Sequence, residues 1–248
     1  MTRSSTRLPI SHNALPTLEP MKTIGLIGGM SWESTAHYYR VLNQETAARL
    51  GGLHSAPVIV HSVDFAPIAE MQSAGDWDGA GRQLADIARG LEQAGAEVIG
   101  LATNTMHIVA DTITSGLGVP FIHIADPTSD ALLADGFTTV GLLGTRFTME
   151  MGFYRDRLAA RGLTALIPEV DRTNLNGIIY EELCRGIIRE ESRRVYVTAI
   201  ERLAARGAEA VILGCTEITM LIDDSVSPLP VYDTTDLHAK ALVDAALG

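Results

Sequence analysis

Residues 210–217, Ala-Val-Ile-Leu-Gly-Cys-Thr-Glu, form an apolar run that stops at a glycine and a cysteine. The stretch is half of a pair. Residues 207–217, Gly-Ala-Glu-Ala-Val-Ile-Leu-Gly-Cys-Thr-Glu, repeat the pattern of residues 95–105, Gly-Ala-Glu-Val-Ile-Gly-Leu-Ala-Thr-Asn-Thr, at an offset of 112. That offset sets Thr103 against Cys215, Asn104 against Thr216 and Thr105 against Glu217. Two more matches extend the repeat. Ile24-Gly25-Leu26-Ile27-Gly28 resembles Val140-Gly141-Leu142-Leu143-Gly144 at an offset of 116, and Pro120-Phe121-Ile122 resembles Pro230-Val231-Tyr232 at 110. Three matches in order, at nearly constant spacing, read as two similar halves.

The strands within each half are short, apolar on both faces and separated by helical patterns, as in parallel sheets covered on each side. The fold class is therefore α/β, with two similar doubly wound parallel-sheet domains related by pseudo-twofold symmetry and the ligand site in the cleft between them. Helices are predicted to about Leu50 from a Ser31 or Ser34 cap, and over about 78–94, 127–135, 149–161, 171–186, 189–206 and 235–247. The domain reading is a loosely ordered extension over 1–20, a first domain over 21–118 plus 229–248, and a second over 119–228.

Composition narrows the function. The chain has 248 residues and a net charge of −11, which disfavours nucleic acid as a partner because phosphate binding needs a basic face. No apolar run approaches the roughly 18 residues of a membrane span. Two cysteines make no disulfide framework, and the usage reads as cytoplasmic. The mixed-charge stretch 185–194 reads as a solvated face or a subunit contact, which points weakly to a homodimer. The sequence lacks Cys-x-x-Cys, His-Glu-x-x-His, Gly-x-Gly-x-x-Gly and phosphate-loop patterns, so the expected chemistry is that of side chains, with neither metal nor cofactor.

Cys215 follows a strand and precedes a predicted helix. A helix N-terminus favours thiolate and lowers a reference pKa of about 8.5 toward neutrality. Such a thiolate serves as base or nucleophile; the alternative is a buried apolar cysteine. Cys184, in the predicted helix that runs through Ile178-Ile179-Tyr180-Glu181-Glu182-Leu183, reads as packing. His107, four residues after Thr103, would hold a carboxylate, orient Thr103 or be structural. Met30 and Trp32 would wall the cleft or pack the first helix.

Gly28-Gly29-Met30, Asn104-Thr105, Gly144-Thr145 and Gly214-Cys215-Thr216-Glu217 together resemble the aspartate/glutamate racemase superfamily, over about residues 22–246. The resemblance implies a cofactor-independent racemase in which each domain offers one catalytic residue to opposite faces of the substrate Cα. Inverting a stereocentre demands this, since a proton removed on one face must return on the other. Carried over, the catalytic pair is Thr103 and Cys215. Substrate would be held by the turns bearing Met30 and Ser31, Asn104 and Thr105, Thr145, Arg146 and Thr148, and Thr216 and Glu217, whose N–H groups and hydroxyls suit a carboxylate. The family most often has cysteine where Thr103 stands. A branch with threonine there is the nearest resemblance and implies aspartate or glutamate as substrate, with the L-enantiomer favoured. Arg146 and Arg172 are the candidates for holding a distal carboxylate. Two other classes stay open: a single-cysteine decarboxylase or maleate isomerase of this fold, and a non-catalytic amino-acid-binding protein.

Overall fold

A computed structural model describes residues 20–248; the extension read over 1–20 lies, apart from Pro20, outside the described residues. The first half runs β1 (Ile24–Gly28), α1 (Trp32–Leu50), β2 (Val58–Ser62), α2 (Phe65–Ala74), α3 (Trp77–Gln93), β3 (Val98–Leu101), α4 (Ala110–Thr114) and β4 (Phe121–Ile122). The second runs α5 (Ala125–Ala134), β5 (Thr139–Gly144), α6 (Arg146–Glu150), α7 (Gly152–Ala159), β6 (Thr164–Leu166), α8 (Arg172–Glu181), α9 (Glu190–Ala205), β7 (Ala210–Gly214) and β8 (Val231–Asp233), and α10 (Thr234–Leu247) closes the chain.

The two four-stranded sheets have the same order, β2-β1-β3-β4 and β6-β5-β7-β8, and every pairing is parallel. The central strands β1, β3 and β7 are buried along their whole length, as their unbroken apolar sequences require. Each sheet has its own apolar layers. Leu84, Ile99 and Met106 lie on one side of the first sheet, and Tyr38, Leu42 and Leu242 on the other. Gly100 of β3 has a local reason to be glycine: a Cβ there would meet Leu242 Cδ1 of α10 at 2.5 Å.

The structure moves both domain boundaries. Phe121–Ile122, read with the second domain, pair with β3 in the first sheet, and Val231–Asp233, read with the first, pair with β7 in the second. The chain changes sheets only after β4 and returns through α10, which packs on α1. The predicted helix over 149–161 is two helices, α6 and α7, parted at Met151, whose backbone is extended ahead of the weak helix former Gly152. The pattern over 171–186 stops at Glu181, and a 3-10 turn, Leu183–Arg185, replaces its last turn. Helix α2 was not anticipated. Asp64 caps it by accepting from the Ala66 N–H (3.2 Å), Gly75 closes it in the left-handed region, and Pro67 is tolerated because it falls in the first turn. No helix among the described residues is long and apolar enough to cross a membrane.

Candidate active site

Four strand ends meet between the halves. After β1, Gly29 has a φ of 95° and a Cβ there would fall 2.2 Å from the Val63 carbonyl oxygen, so only glycine lets the chain pass into Met30 and Ser31. Ser31 caps α1, and its hydroxyl donates to Glu217 Oε1 at 2.6 Å. After β3 come Thr103, Asn104 and Thr105. The Asn104 amide donates to Thr234 Oγ1 at 3.0 Å, and that hydroxyl donates to the Leu213 carbonyl at 2.9 Å, tying the β3 end to β7. After β5, Thr145 caps α6, and its hydroxyl lies 2.9 Å from that of Thr105. The contacts Ser31–Glu217 and Thr105–Thr145 are counterparts in the repeat, joining the β1 end to the β7 end and the β3 end to the β5 end.

Thr103 and Cys215 line one cleft, with Asn104, Thr105, Thr145 and Thr216 beside them. Met30, Glu217 and Gly214 complete the strand-end side. Phe65 and Gln72 of α2 and Ile179 and Tyr180 of α8 form the remaining wall, with Cys184 just beyond α8. The elements α2 and α8 follow equivalent strands, β2 and β6, so the repeat supplies both shoulders of the cleft. Asn104 Oδ1 is buried and has no hydrogen-bond partner among the described residues, leaving an acceptor to be met by a ligand.

The Glu217 carboxylate takes three donors: Ser31 Oγ on Oε1, and Thr216 Oγ1 (2.8 Å) and Cys215 Sγ (3.0 Å) on Oε2. This arrangement reverses the expected electrostatics of the cysteine. Burial first, and then the neighbouring carboxylate, push the Cys215 thiol well above its ordinary pKa. The predicted helix after it is only the five-residue 3-10 turn Thr216–Met220, too short to offset these effects. The resting group is a thiol already hydrogen-bonded to a base.

Behind Thr103 lie three buried histidines. His107 Nε2 accepts from the Ile124 N–H (3.2 Å), so Nδ1 carries the proton and donates to the Thr103 carbonyl at 2.8 Å. His107 thus positions the backbone of Thr103 and stays out of the cleft lining. His238 donates from Nε2 to the Ile122 carbonyl and accepts from the Tyr38 hydroxyl, both at 2.8 Å, and His123 Nδ1 accepts from the Ala125 N–H. Burial drives all three toward the neutral form, His123 to about 3 and His238 to about 4, with His107 well below its ordinary value.

Several candidate residues fall elsewhere. Ser31 reaches the cleft only through Glu217, and Thr148 is fully buried behind Thr145. Arg146 is exposed, its guanidinium 5.4 Å from the Phe147 ring centroid, and Arg172 pairs with Glu150. Neither lines the cleft. Trp32 is 65% exposed and walls nothing. Conversely, Cys184, read as packing, faces the cleft, and burial raises its thiol to about 12. Phe65, Gln72, Ile179 and Tyr180 went unremarked in sequence. Their signal was the cap frame from Asp64 to Gly75 and the repeat that pairs α2 with α8. His37, Asp233 and Asp236 approach within 4.8 Å of one another away from this cleft, but His37 and Asp236 already form an ion pair (2.8 Å) and Asp233 caps α10.

The structure is thus of a two-domain α/β class in which Thr103 of one half and Cys215 of the other line a shared cleft. A profile of the Asp/Glu/Hydantoin racemase family matches residues 27–242. The chain belongs to that family, and this membership makes it an isomerase of the amino-acid racemase class. It is similar to a Yersinia pestis protein provisionally described as an Asp/Glu racemase, at 52% identity over 92% of this chain and 100% of the other, with a TM-score of 0.86. It is also similar to an aspartate racemase homologue from Pyrococcus horikoshii OT3, at 33% identity over 91% and 99% of the two chains, with a TM-score of 0.79. The broad specificity amino-acid racemase RacX of Bacillus subtilis is 23% identical over 227 residues, covering 90% of this chain and 98% of that protein.

Proposed function

We propose that the protein racemises a free α-amino acid by moving one proton across Cα without a cofactor, with Cys215 serving one face and Thr103 the other. The observation that carries the reading is the lining of one cleft by Thr103 and Cys215 from opposite domains, with Glu217 bonded to the thiol. In the L-to-D direction the Cys215 proton passes to Glu217 Oε2, and the thiolate takes the α-proton. The resulting carbanion is reprotonated on the other face through the Thr103 hydroxyl, by way of water. The substrate ammonium, meeting Glu217 and Asn104 Oδ1, lowers the cost of forming negative charge at Cα.

A threonine hydroxyl is a far weaker acid than a thiol, so kcat and KM differ between the two directions, with the higher kcat for the L-enantiomer, while kcat/KM is the same in both because enantiomers have equal free energy. The aspartate or glutamate assignment implied by the family resemblance has thinner support, because neither Arg146 nor Arg172 lines the cleft. The deciding assay is incubation of single enantiomers in deuterated water, following loss of the α-hydrogen signal. Exchange with inversion supports the reading; carbon dioxide release without exchange would establish a lyase. Replacing Thr103 by cysteine is expected to raise the D-to-L rate about tenfold or more, since a thiol is the better proton relay. An unchanged D-to-L rate removes Thr103 from the second face.

A further inference from the structure

The shoulders of the cleft bear on the substrate's side chain. Its strand-end side holds the groups that suit the common part of every amino acid: the hydroxyls of Thr105, Thr145 and Thr216, and the amide of Asn104. The remaining wall is apolar at Phe65 and Ile179, and carries two neutral hydrogen-bonding ends, Gln72 and Tyr180. Gln72 is 3% exposed and its amide donates to the Met106 sulfur at 3.0 Å, a weak acceptor that leaves hydrogen-bonding capacity for a ligand. Burial pushes the Tyr180 phenol well above its ordinary value, keeping it a neutral donor. The one charged residue among the described residues that line the cleft is Glu217.

We infer that the cleft selects an α-amino acid whose side chain is uncharged and ends in a hydrogen-bonding group, with Gln72 and Tyr180 as the specificity-determining residues. This inference rests on the racemase reading above and deepens it. A zwitterionic substrate with a neutral side chain adds no net charge beside Glu217. An acidic one adds a second negative charge in a partly desolvated site, with no cation in the lining among the described residues to answer it. A basic side chain fares little better. Glu217 already accepts three hydrogen bonds and meets the substrate's α-ammonium, so a second ammonium beside Phe65 and Ile179 would lack a partner.

Isosteric pairs give the test, because asparagine matches aspartate, and glutamine matches glutamate, in shape while differing in charge. Deuterium incorporation at Cα is measured with the unaltered protein for both pairs, and for serine, methionine and lysine. The expected result is a kcat/KM at least tenfold higher for an amide than for its acid, with lysine no better than the acids. Acids equal to or faster than their amides, or lysine fastest, would overturn the inference while leaving racemisation standing. Exchange with none of them would remove the racemase reading and this inference with it. Replacing Tyr180 by phenylalanine is expected to raise KM for the preferred amide severalfold with little change in kcat, and unchanged KM would strike Tyr180 from the assignment.

Discussion

A Cys215→Ser protein is expected to keep its fold and to lose α-proton exchange by about a thousandfold or more. The fold should survive because a serine hydroxyl is nearly the same size and can donate to Glu217 Oε2 as the thiol does at 3.0 Å. The chemistry should not survive. The thiol is already held well above its ordinary pKa by burial and the adjacent carboxylate, so proton abstraction depends on handing the proton to Glu217. A hydroxyl in the same place starts from a far higher pKa, and its anion is out of reach of a carboxylate base. General acid–base groups contribute about 10²–10⁴-fold, and here one residue carries one whole face of the reaction. The measurement is α-deuterium incorporation with the best substrate, alongside thermal unfolding to establish that the protein is intact. Exchange within tenfold of the unaltered protein would show that Cys215 is not the base.

Acidification from pH 7 to pH 5 is expected to lower the stability of the protein by about 4 kcal/mol, a large share of the roughly 5–15 kcal/mol typical of a folded domain. The cause is the buried trio His107, His123 and His238, all neutral when folded, with His123 near 3 and His238 near 4. In the unfolded chain each regains an ordinary value of about 6.5 and binds a proton below it. Their contribution is complete above about pH 6.5 and is lost as pH falls from there toward their folded values, at about 1.4 kcal/mol per group per pH unit. Two groups oppose the trend. Burial and Asp236 raise Asp233 to about 6, so it gains a proton on folding and adds stability as pH falls through that value, and His37 is raised chiefly by its bond to Asp236. Three groups against two leave a net loss. Urea unfolding at pH 7, 6 and 5 would measure it, and a flat profile would mean that the histidines are not held neutral.

The parts of the site legible in sequence were those written into strand ends. A parallel strand must be apolar until it leaves the sheet, so Leu101 followed by Ala-Thr-Asn-Thr, and Leu213 followed by Gly-Cys-Thr-Glu, marked where side chains become available to a ligand. The division into two similar halves followed from the same runs. The shoulders were harder to see because α2 begins with Phe-Ala-Pro, which reads as a loop until Asp64 is recognised as its cap. The boundaries at 119 and 229 failed because a two- or three-residue strand such as β4 or β8 belongs to whichever sheet edge is open, which local sequence does not specify. The direction of the Cys215 shift failed for another reason. Burial of the thiol, and then a carboxylate two residues on folded back onto the sulfur, outweigh a short 3-10 turn, and only the three-dimensional path of Thr216 and Glu217 reveals it.

Because both sheets carry the order 2-1-3-4, the two halves present matching edges to a ligand, and what tells those edges apart is the residues that tip them. Trading those tips as whole sets, with Thr103→Cys, Thr105→Glu, Cys215→Thr and Glu217→Thr together so that the thiol keeps its carboxylate, should exchange which enantiomer turns over with the higher kcat. Polarimetry on the two enantiomers would read out that reversal directly.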